Sequence, residues 1–153
     1  MLGIFWGDLG YSSNNLAELE DLVQGLKWAT VIGWSPLIVE GDSSLIIFMA
    51  TRLQAGSSTS KISRNWRWES RIDELFSILL AFPAVTFRHI RRKGNSVADA
   101  TANKGVGAGI SFQSAFPNQA EEKEFFSHCQ TLAEADYINH IRLLSSLSSS
   151  APL

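Results

Sequence analysis

Hydrophobic and polar positions alternate along this chain with the period of an α-helix in three long stretches. The first stretch, residues 16–32, places apolar side chains every three or four positions and predicts an amphipathic helix that ends at Gly33. The second stretch, residues 45–53, and the third, residues 61–82, predict two more helices. The apolar side of the third helix is expected to hold Ile62, Trp66, Ile72, Leu75, Phe76, Leu79 and Leu80, with Trp68 at its margin.

Two shorter runs have the composition of β-strands. Residues 37–40 are mostly apolar and lie between Pro36 and Gly41, which is typical of a buried strand in a parallel sheet. Residues 84–90 alternate between two faces, and residues 1–6 are compatible with a short first strand. The succession of strand, helix, helix, strand and helix predicts an α/β layered domain with parallel pairing and right-handed crossovers.

Two acidic residues stand at the ends of predicted elements. Glu18 lies three residues after Asn15, a natural N-cap for the first helix, so the pair forms a variant of the capping box. Asp42 follows the strand at residues 37–40 and precedes a helix that begins near Ser44, where aspartate is a common N-cap. Helix capping alone explains both acids.

A third acid, Asp99, lies in the first turn of another short helix. Ser96 is predicted to cap this helix over residues 97–104, with Asp99 again at the capping-box position and Gly105 as the terminator. Ligands of open α/β sheets bind beyond the carboxyl ends of the strands, so the three acids would converge if both helices pack beside Asp42. Clustered carboxylates require protonation or a cation, and their oxygens suit Mg²⁺ or Mn²⁺.

A basic segment follows the second predicted strand. Arg88, Arg91, Arg92 and Lys93 cluster there, although the formal net charge of the protein is −2. The molecule as a whole therefore has no general attraction for nucleic acid, and phosphate binding would have to be local. A solvated turn is the alternative interpretation, and the neighbouring acids favour phosphate binding. His89 lies on a strand face and is expected to be structural.

The composition is that of one globular domain with a tail. The 153 residues are 45% hydrophobic and 18% charged, and a single cysteine, Cys129, excludes an internal disulfide. The single cysteine and the absence of a basic-apolar leader predict an intracellular protein. The longest apolar run is too short to cross a bilayer, so we expect no membrane partner. Residues 105–119 have linker composition, and residues 121–147 predict one or two helices. The predicted domains are residues 1–104 and residues 105–153.

Three segments taken together resemble a known family. They read SSNNLAELEDLVQGLKWA, PLIVEGDSSLII and FRHIRRKGNSVADATAN, and in this order they are similar to the plant reverse-transcriptase-like ribonuclease H domains of the ribonuclease H-like superfamily. The resemblance extends over residues 3–104. It implies an α/β fold with a layered mixed sheet and flanking helices, followed here by a C-terminal helical tail.

The resemblance also implies roles for individual residues. The glutamate of the family's Asn-Asn-x-x-Glu pattern corresponds to Glu18, its strand-end aspartate to Asp42, and its last aspartate to Asp99. These three residues would be catalytic and would hold Mg²⁺ or Mn²⁺. The residues implied to touch the substrate backbone or to assist the last metal ligand are Asn14, Asn15 and Asn95. With Arg91, Arg92 and Lys93 they form the predicted nucleic-acid-binding set.

One family ligand has no counterpart in this chain. The family carries an aspartate on its first strand that bridges both metals, whereas the match here begins around the family's third strand. We therefore expect a truncated retroelement-derived domain without the first two strands. The strand at residues 37–40 would then lack a neighbour, which predicts self-association through an unpaired sheet edge.

The implied activity is Mg²⁺-dependent hydrolysis of the RNA strand of RNA–DNA hybrids, impaired by the missing aspartate. Two alternatives stay open on the sequence. One is a non-catalytic module that binds nucleic-acid duplexes. The other is a degenerate remnant in which Glu18, Asp42 and Asp99 only cap helices.

Overall fold

The computed structural model describes residues 4–6, 13–62, 66–82, 84–106, 112–114 and 120–149. The elements of these residues, in chain order, are β1 (Ile4–Trp6), α1 (Asn14–Ile32), β2 (Leu37–Gly41), α2 (Ser44–Gln54), α3 (Thr59–Ile62), α4 (Trp66–Ala81), β3 (Val85–His89), a 3₁₀ turn (Arg92–Gly94), α5 (Ser96–Gly105), β4 (Phe112–Ser114) and α6 (Ala120–Ser149). The chain divides into two compact units. The first unit comprises residues 11–90, and the second comprises residues 1–10 together with residues 91–153. The predicted domain boundary after residue 104 stays a prediction.

The first helix begins slightly before its predicted start. Ser13 has an extended backbone and caps α1, and its hydroxyl accepts a hydrogen bond from the Leu16 N–H at 3.4 Å. The prediction that Asn15 is the cap is therefore wrong; both residue types cap helices well, and local pattern does not decide between neighbours. Gly33 ends the helix as predicted, with a φ of 77° that glycine adopts without strain.

The core of the first unit is formed by α1, α2, α4 and β3. Its buried side chains are Leu19, Val23, Leu26, Ile46, Met49, Ala50, Leu53, Ile72, Leu75, Leu79 and Val85. The helical period predicted for the first two helices is thus confirmed, although Leu45 at the start of α2 is exposed. The predicted helix over residues 61–82 is two helices, α3 and α4, and residues 63–65 lie outside the described chain.

Two residues predicted on the apolar face of α4 lie at the surface instead. Trp66 is 75% exposed and Leu80 is 73% exposed. In a helix of about 3.6 residues per turn, Trp66 and Leu80 are rotated by about 120° and about 80° from the fully buried Ile72, both in the direction away from the other buried residues. The buried face of α4 is therefore narrower than the sequence suggested. Trp68 is partly buried and packs against the core.

The two strands of the first unit pair in parallel, as predicted. Their register runs from Leu37 opposite Val85 to Gly41 opposite His89. This is a helix-rich α/β arrangement around a small parallel sheet. The larger mixed sheet implied by the family resemblance stays a prediction.

A side chain of α2 lies against the outer edge of β3. Leu37 N–H donates to Ala84 O at 3.0 Å, so the next carbonyl along the chain, that of Val85, points away from β2. Gln54 Nε2 donates to this Val85 oxygen at 2.7 Å. The Gln54 amide thereby satisfies a backbone acceptor that the parallel pair cannot reach.

The second unit is built on two packed helices. α5 packs against α6 and β1, and α6 also contacts the 3₁₀ turn. β1 pairs antiparallel with β4, from Ile4 opposite Ser114 to Trp6 opposite Phe112. The predicted linker therefore contains a short strand, β4, and α6 confirms the helix predicted in the tail. Cys129 of α6 is fully buried.

Among the helices that the structure describes, every one is too short or too polar to cross a bilayer.

Candidate functional site

Asp42 stands directly after β2, at the carboxyl end of the parallel pair. Its backbone is held from β3: Ile90 N–H donates to Gly41 O at 3.0 Å, and His89 Nε2, in the tautomer that carries its proton, donates to Asp42 O at 3.2 Å. His89 thus has the structural role that was expected of it.

Asp42 is not the N-cap of α2, although its residue type suggested this. That position belongs to Ser43, whose hydroxyl accepts from the Ile46 N–H at 3.5 Å. The capping interpretation was displaced by one residue because serine and aspartate cap helices about equally well. The N-cap position therefore does not account for Asp42 at the strand end.

Glu18 lies one full turn inside α1. With Ser13 as the cap, the capping-box position three residues later is Leu16, so Glu18 does not occupy it. Glu18 is half-buried beside the fully buried Leu19. Asn14 and Asn15, the residues predicted to touch a substrate backbone, are exposed in the first turn of the same helix.

Asp99 lies near the start of α5, and the positively charged side chain of Arg92 lies beside it. Its N–H donates to Asn95 O at 3.1 Å, which closes the first turn. Arg92 Nη2 is 3.5 Å from Asp99 Oδ1. The two side chains are 79% and 44% exposed, so this ion pair contributes little to stability. The ion pair is of interest for its position, because it brings a residue predicted to bind phosphate next to a predicted metal ligand.

Arg91, Arg92 and Lys93, which we call the basic turn, are all exposed. The turn is closed by two backbone hydrogen bonds, from Gly94 N–H to Arg91 O at 2.8 Å and from Asn95 N–H to Arg92 O at 3.0 Å. These local hydrogen bonds fix the backbone of the turn. They do not involve the three cationic side chains, whose orientations depend on solvent and on neighbouring residues.

Arg88, the fourth residue of the basic segment, has a different partner. Its Nη1 donates to Glu40 Oε1 at 3.0 Å, across the register of β2 and β3. A cross-strand pair of opposite charges stabilises the sheet modestly. Arg88 therefore neutralises Glu40, and the phosphate-binding prediction concerns the basic turn alone.

The N-terminal end of α5 is held by a residue that the sequence did not suggest. Ser96 N–H donates to Asp136 Oδ2 at 3.0 Å, and Ser96 Oγ donates to Asp136 Oδ1 at 2.7 Å. The prediction that Ser96 caps this helix is wrong, because Asn95 holds the cap position and Ser96 is the first helical residue. Asp136 belongs to α6, so no local pattern could have indicated this contact.

The model of the family described as reverse transcriptase-like matches residues 5–105. The chain belongs to the reverse transcriptase-like family. The matched region is a reverse transcriptase-like domain of the ribonuclease H-like kind. No curated protein and no solved structure matches the chain.

The predicted metal ligands of this reverse transcriptase-like domain are divided between the two units. Glu18 and Asp42 belong to the first unit, and Asp99 belongs to the second. Their carboxylate oxygens are donors of the kind that Mg²⁺ and Mn²⁺ prefer. Within the described parts of the chain, no three His, Cys, Asp or Glu residues are grouped so that they could hold a metal ion. The metal assignment stays a prediction.

A network of ion pairs joins α1 to α4. Arg71 bridges Glu20 and Glu74, each at 2.6 Å, and Lys27 pairs with Glu74. The hydrogen bond from Lys27 lowers the pKa of the Glu74 carboxyl, and the bond with Glu74 raises the pKa of Arg71. This network ties the helix that carries Glu18 to the core helix α4.

Asp21, one turn after Glu18, has a carboxyl group whose pKa is higher than usual. Burial, and then the charge of Glu20, raises the pKa of Asp21 to about 6. The residue as a whole is nevertheless exposed, so solvent limits how far this shift can affect stability. Sequence reasoning did not single out Asp21, because its position on the polar side of α1 looks like ordinary surface.

Proposed function

We propose that this reverse transcriptase-like domain binds nucleic-acid duplexes, and RNA–DNA hybrids in particular, through the basic turn. We further propose that it hydrolyses the RNA strand slowly in a reaction that depends on Mg²⁺ or Mn²⁺. One observation supports the proposal: Arg92 Nη2 lies 3.5 Å from Asp99 Oδ1, so a side chain that we predict to bind phosphate lies beside a predicted catalytic carboxylate.

The binding step would be electrostatic and independent of base sequence. Cationic side chains that neutralise phosphates release counterions, and this term supplies most non-specific affinity. Arg91, Arg92 and Lys93 are exposed and close together, in a protein with a formal net charge of −2. Asn14 and Asn15 would add neutral hydrogen bonds to the backbone. Recognition of a hybrid would rest on helix shape and the 2′-hydroxyl.

The hydrolytic step would use Glu18, Asp42 and Asp99 to hold the divalent cation. When bound, such a cation lowers the pKa of water and stabilises charge on the leaving oxygen. Arg92 would exchange the Asp99 carboxylate for a substrate phosphate, which orients the strand at this end of α5. With these three ligands alone, the proposed reaction would be slow.

The test measures binding and cleavage separately. The full chain is incubated with an RNA–DNA hybrid labelled on the RNA strand, with Mg²⁺, with Mn²⁺, or with a chelator. We expect salt-dependent binding under all three conditions and slow cleavage of RNA only with a metal ion. Asp42→Asn should abolish the cleavage and preserve the binding. Binding that is absent at low salt would overturn the proposal.

A second candidate is a non-catalytic module that binds duplexes. It is favoured by the observation that the described residues contain no three-residue acidic group able to hold a metal ion. Salt-dependent binding without any metal-dependent cleavage would identify this case. A chain with neither property would be the degenerate remnant. Plant origin, derivation from a retroelement, and loss of the first two strands remain predictions.

A further inference from the structure

The C-terminal helix α6 contacts the joint between the basic turn and α5. The last backbone bond of the turn reaches Asn95, and α5 begins at the next residue, Ser96. Both carboxylate oxygens of Asp136 accept hydrogen bonds from Ser96, one from its N–H and one from its hydroxyl. The contact therefore fixes the position of the chain where the turn becomes a helix.

Asp136 takes the role of a helix cap at the start of α5. The first N–H groups of a helix lack partners within the helix, and a carboxylate is favoured there by the helix dipole. Asn95 holds the cap position of α5 but supplies no side-chain cap hydrogen bond. Asp136 meets this need from α6, with charge-assisted hydrogen bonds of 3.0 and 2.7 Å.

A second contact orients α6 along α5. Lys104 Nζ lies 5.4 Å from the centre of the Phe125 ring, near the other end of α5. Because Ser96 meets Asp136 and Lys104 meets Phe125, the two helices run antiparallel. Cys129, between the two contacts on α6, is fully buried. The helix is therefore seated along α5 by polar contacts at both ends and packing between them.

We propose that Asp136 is a positioning residue for nucleic-acid binding by the basic turn. It fixes Ser96, and through Ser96 the orientation of Arg92 and the first turn of α5 with Asp99. A segment beyond the family match, which ends at residue 105, is thereby part of the binding apparatus. This inference rests on the proposed duplex binding.

The charge of Asp136 makes the test decisive. Removing a carboxylate near a phosphate-binding surface reduces repulsion, so a purely electrostatic role predicts tighter binding of the Asp136→Asn variant. A positioning role predicts weaker binding, because the amide replaces one acceptor oxygen with a donor. The matched control is Glu134→Gln, which removes the same charge from an exposed position on the same helix.

The experiment measures the dissociation constant of a labelled RNA–DNA hybrid for the full chain and its variants. We expect about tenfold weaker binding for Asp136→Asn and unchanged or slightly tighter binding for Glu134→Gln. Ser96→Ala should also weaken binding, and Ser96→Thr, which keeps the hydroxyl, should restore most of the affinity. Hydrogen exchange of the amides from Ser96 to Asp99 should accelerate in the variants that lose the contact.

The outcomes separate the two proposals. A wild-type chain that does not bind the hybrid overturns the proposed function, and with it the positioning role of Asp136. A wild-type chain that binds, together with an Asp136→Asn variant that binds as well as Glu134→Gln, overturns only the positioning role. If Asp136→Asn does not fold, the Ser96→Ala and Ser96→Thr pair decides, and equal affinity of those two variants would overturn it.

Discussion

Arg92 and Asp99 form an ion pair, with Arg92 Nη2 3.5 Å from Asp99 Oδ1. Each side chain is therefore paired within the protein. The proposed function would instead pair Arg92 with a substrate phosphate and Asp99 with a divalent cation. Under the proposed function, a substrate phosphate would compete with Asp99 for Arg92, and a divalent cation would compete with Arg92 for Asp99. Charges this exposed rearrange at small cost, so the pair is easily exchanged for ligand contacts.

This competition predicts the effect of neutralising Asp99. Asp99→Asn should bind an RNA–DNA hybrid about threefold more tightly than the wild type in the presence of a chelator, because Arg92 loses its competitor and local repulsion falls. The same variant should show no metal-dependent cleavage. Glu134→Gln serves as the control for the removal of one negative charge in the same unit. Equal affinities of the two variants would contradict a specific link between Arg92 and Asp99.

The salt dependence of binding reports the role of Lys93. Each phosphate contact that is lost reduces the slope of log affinity against log salt by about one unit. Lys93→Ala should therefore weaken binding at low salt and flatten this slope, as measured by fluorescence anisotropy over a salt series. Lys123→Ala, at an exposed position of α6, removes the same charge from the same unit. A slope that changes equally in both variants would indicate general charge rather than contact by the basic turn.

The buried face of α4 can be tested by two substitutions of the same type. Leu75 is fully buried and Leu80 is 73% exposed. Leu75→Ala should lower the free energy of unfolding by about 3 kcal/mol, since it leaves a cavity in the core. Leu80→Ala should change it by less than about 0.5 kcal/mol. Chemical denaturation measures both values, and a larger loss at Leu80 would mean that the helix faces the core differently.

The ion-pair network between α1 and α4 should make stability depend on pH. The hydrogen bond from Lys27 lowers the pKa of Glu74 from its ordinary 4.5, so its contribution is complete above that value and is lost as the pH falls through the lowered pKa. Glu74→Gln should destabilise the chain by about 1 kcal/mol at neutral pH, after allowance for solvent screening, and by much less in acid. Glu69→Gln, an exposed acid of the same helix, should show no such difference.

Asp21 should have the opposite pH dependence. Its pKa is raised to about 6, chiefly by burial, so the folded state binds this proton more tightly than the unfolded chain. The ionised carboxylate destabilises the fold above about pH 6, and this penalty disappears as the pH falls toward the ordinary value of 3.8. Asp21→Asn should raise the melting temperature at neutral pH and leave it unchanged near pH 4. A lower melting temperature at neutral pH would contradict the raised pKa.

Periodicity was sufficient to locate most elements of the first unit. The helices α1 and α2 repeat apolar side chains with a helical period, β3 alternates between two faces, and β2 contains a short, mostly apolar run between Pro36 and Gly41, so their positions follow from the sequence. Trp66 was assigned to the wrong face because the prediction followed its apolar character, whereas its angular position in α4 lies outside the buried face. The short strand β4 offers too few residues for any period to be recognised.

The cap positions show where local sequence becomes ambiguous. Ser13 and Ser43 lie next to other good capping residues. Which of these residues caps the helix depends on which one has the extended backbone conformation. The contact between Ser96 and Asp136 lies beyond any local pattern, since it joins two helices that are far apart in the chain. Glu18, Asp42 and Asp99 could be named as candidate site residues because they match positions of the family motif. Their residue types alone are equally compatible with helix capping.

The Gln54 amide also decides how further strands could join this small sheet. An incoming chain aligned along β3 would find the Val85 carbonyl already engaged by a side chain, and would have to displace it before forming its own ladder. The predicted edge pairing would therefore favour the opposite flank, along β2. In that case one glutamine side chain would set the direction in which the sheet could be extended.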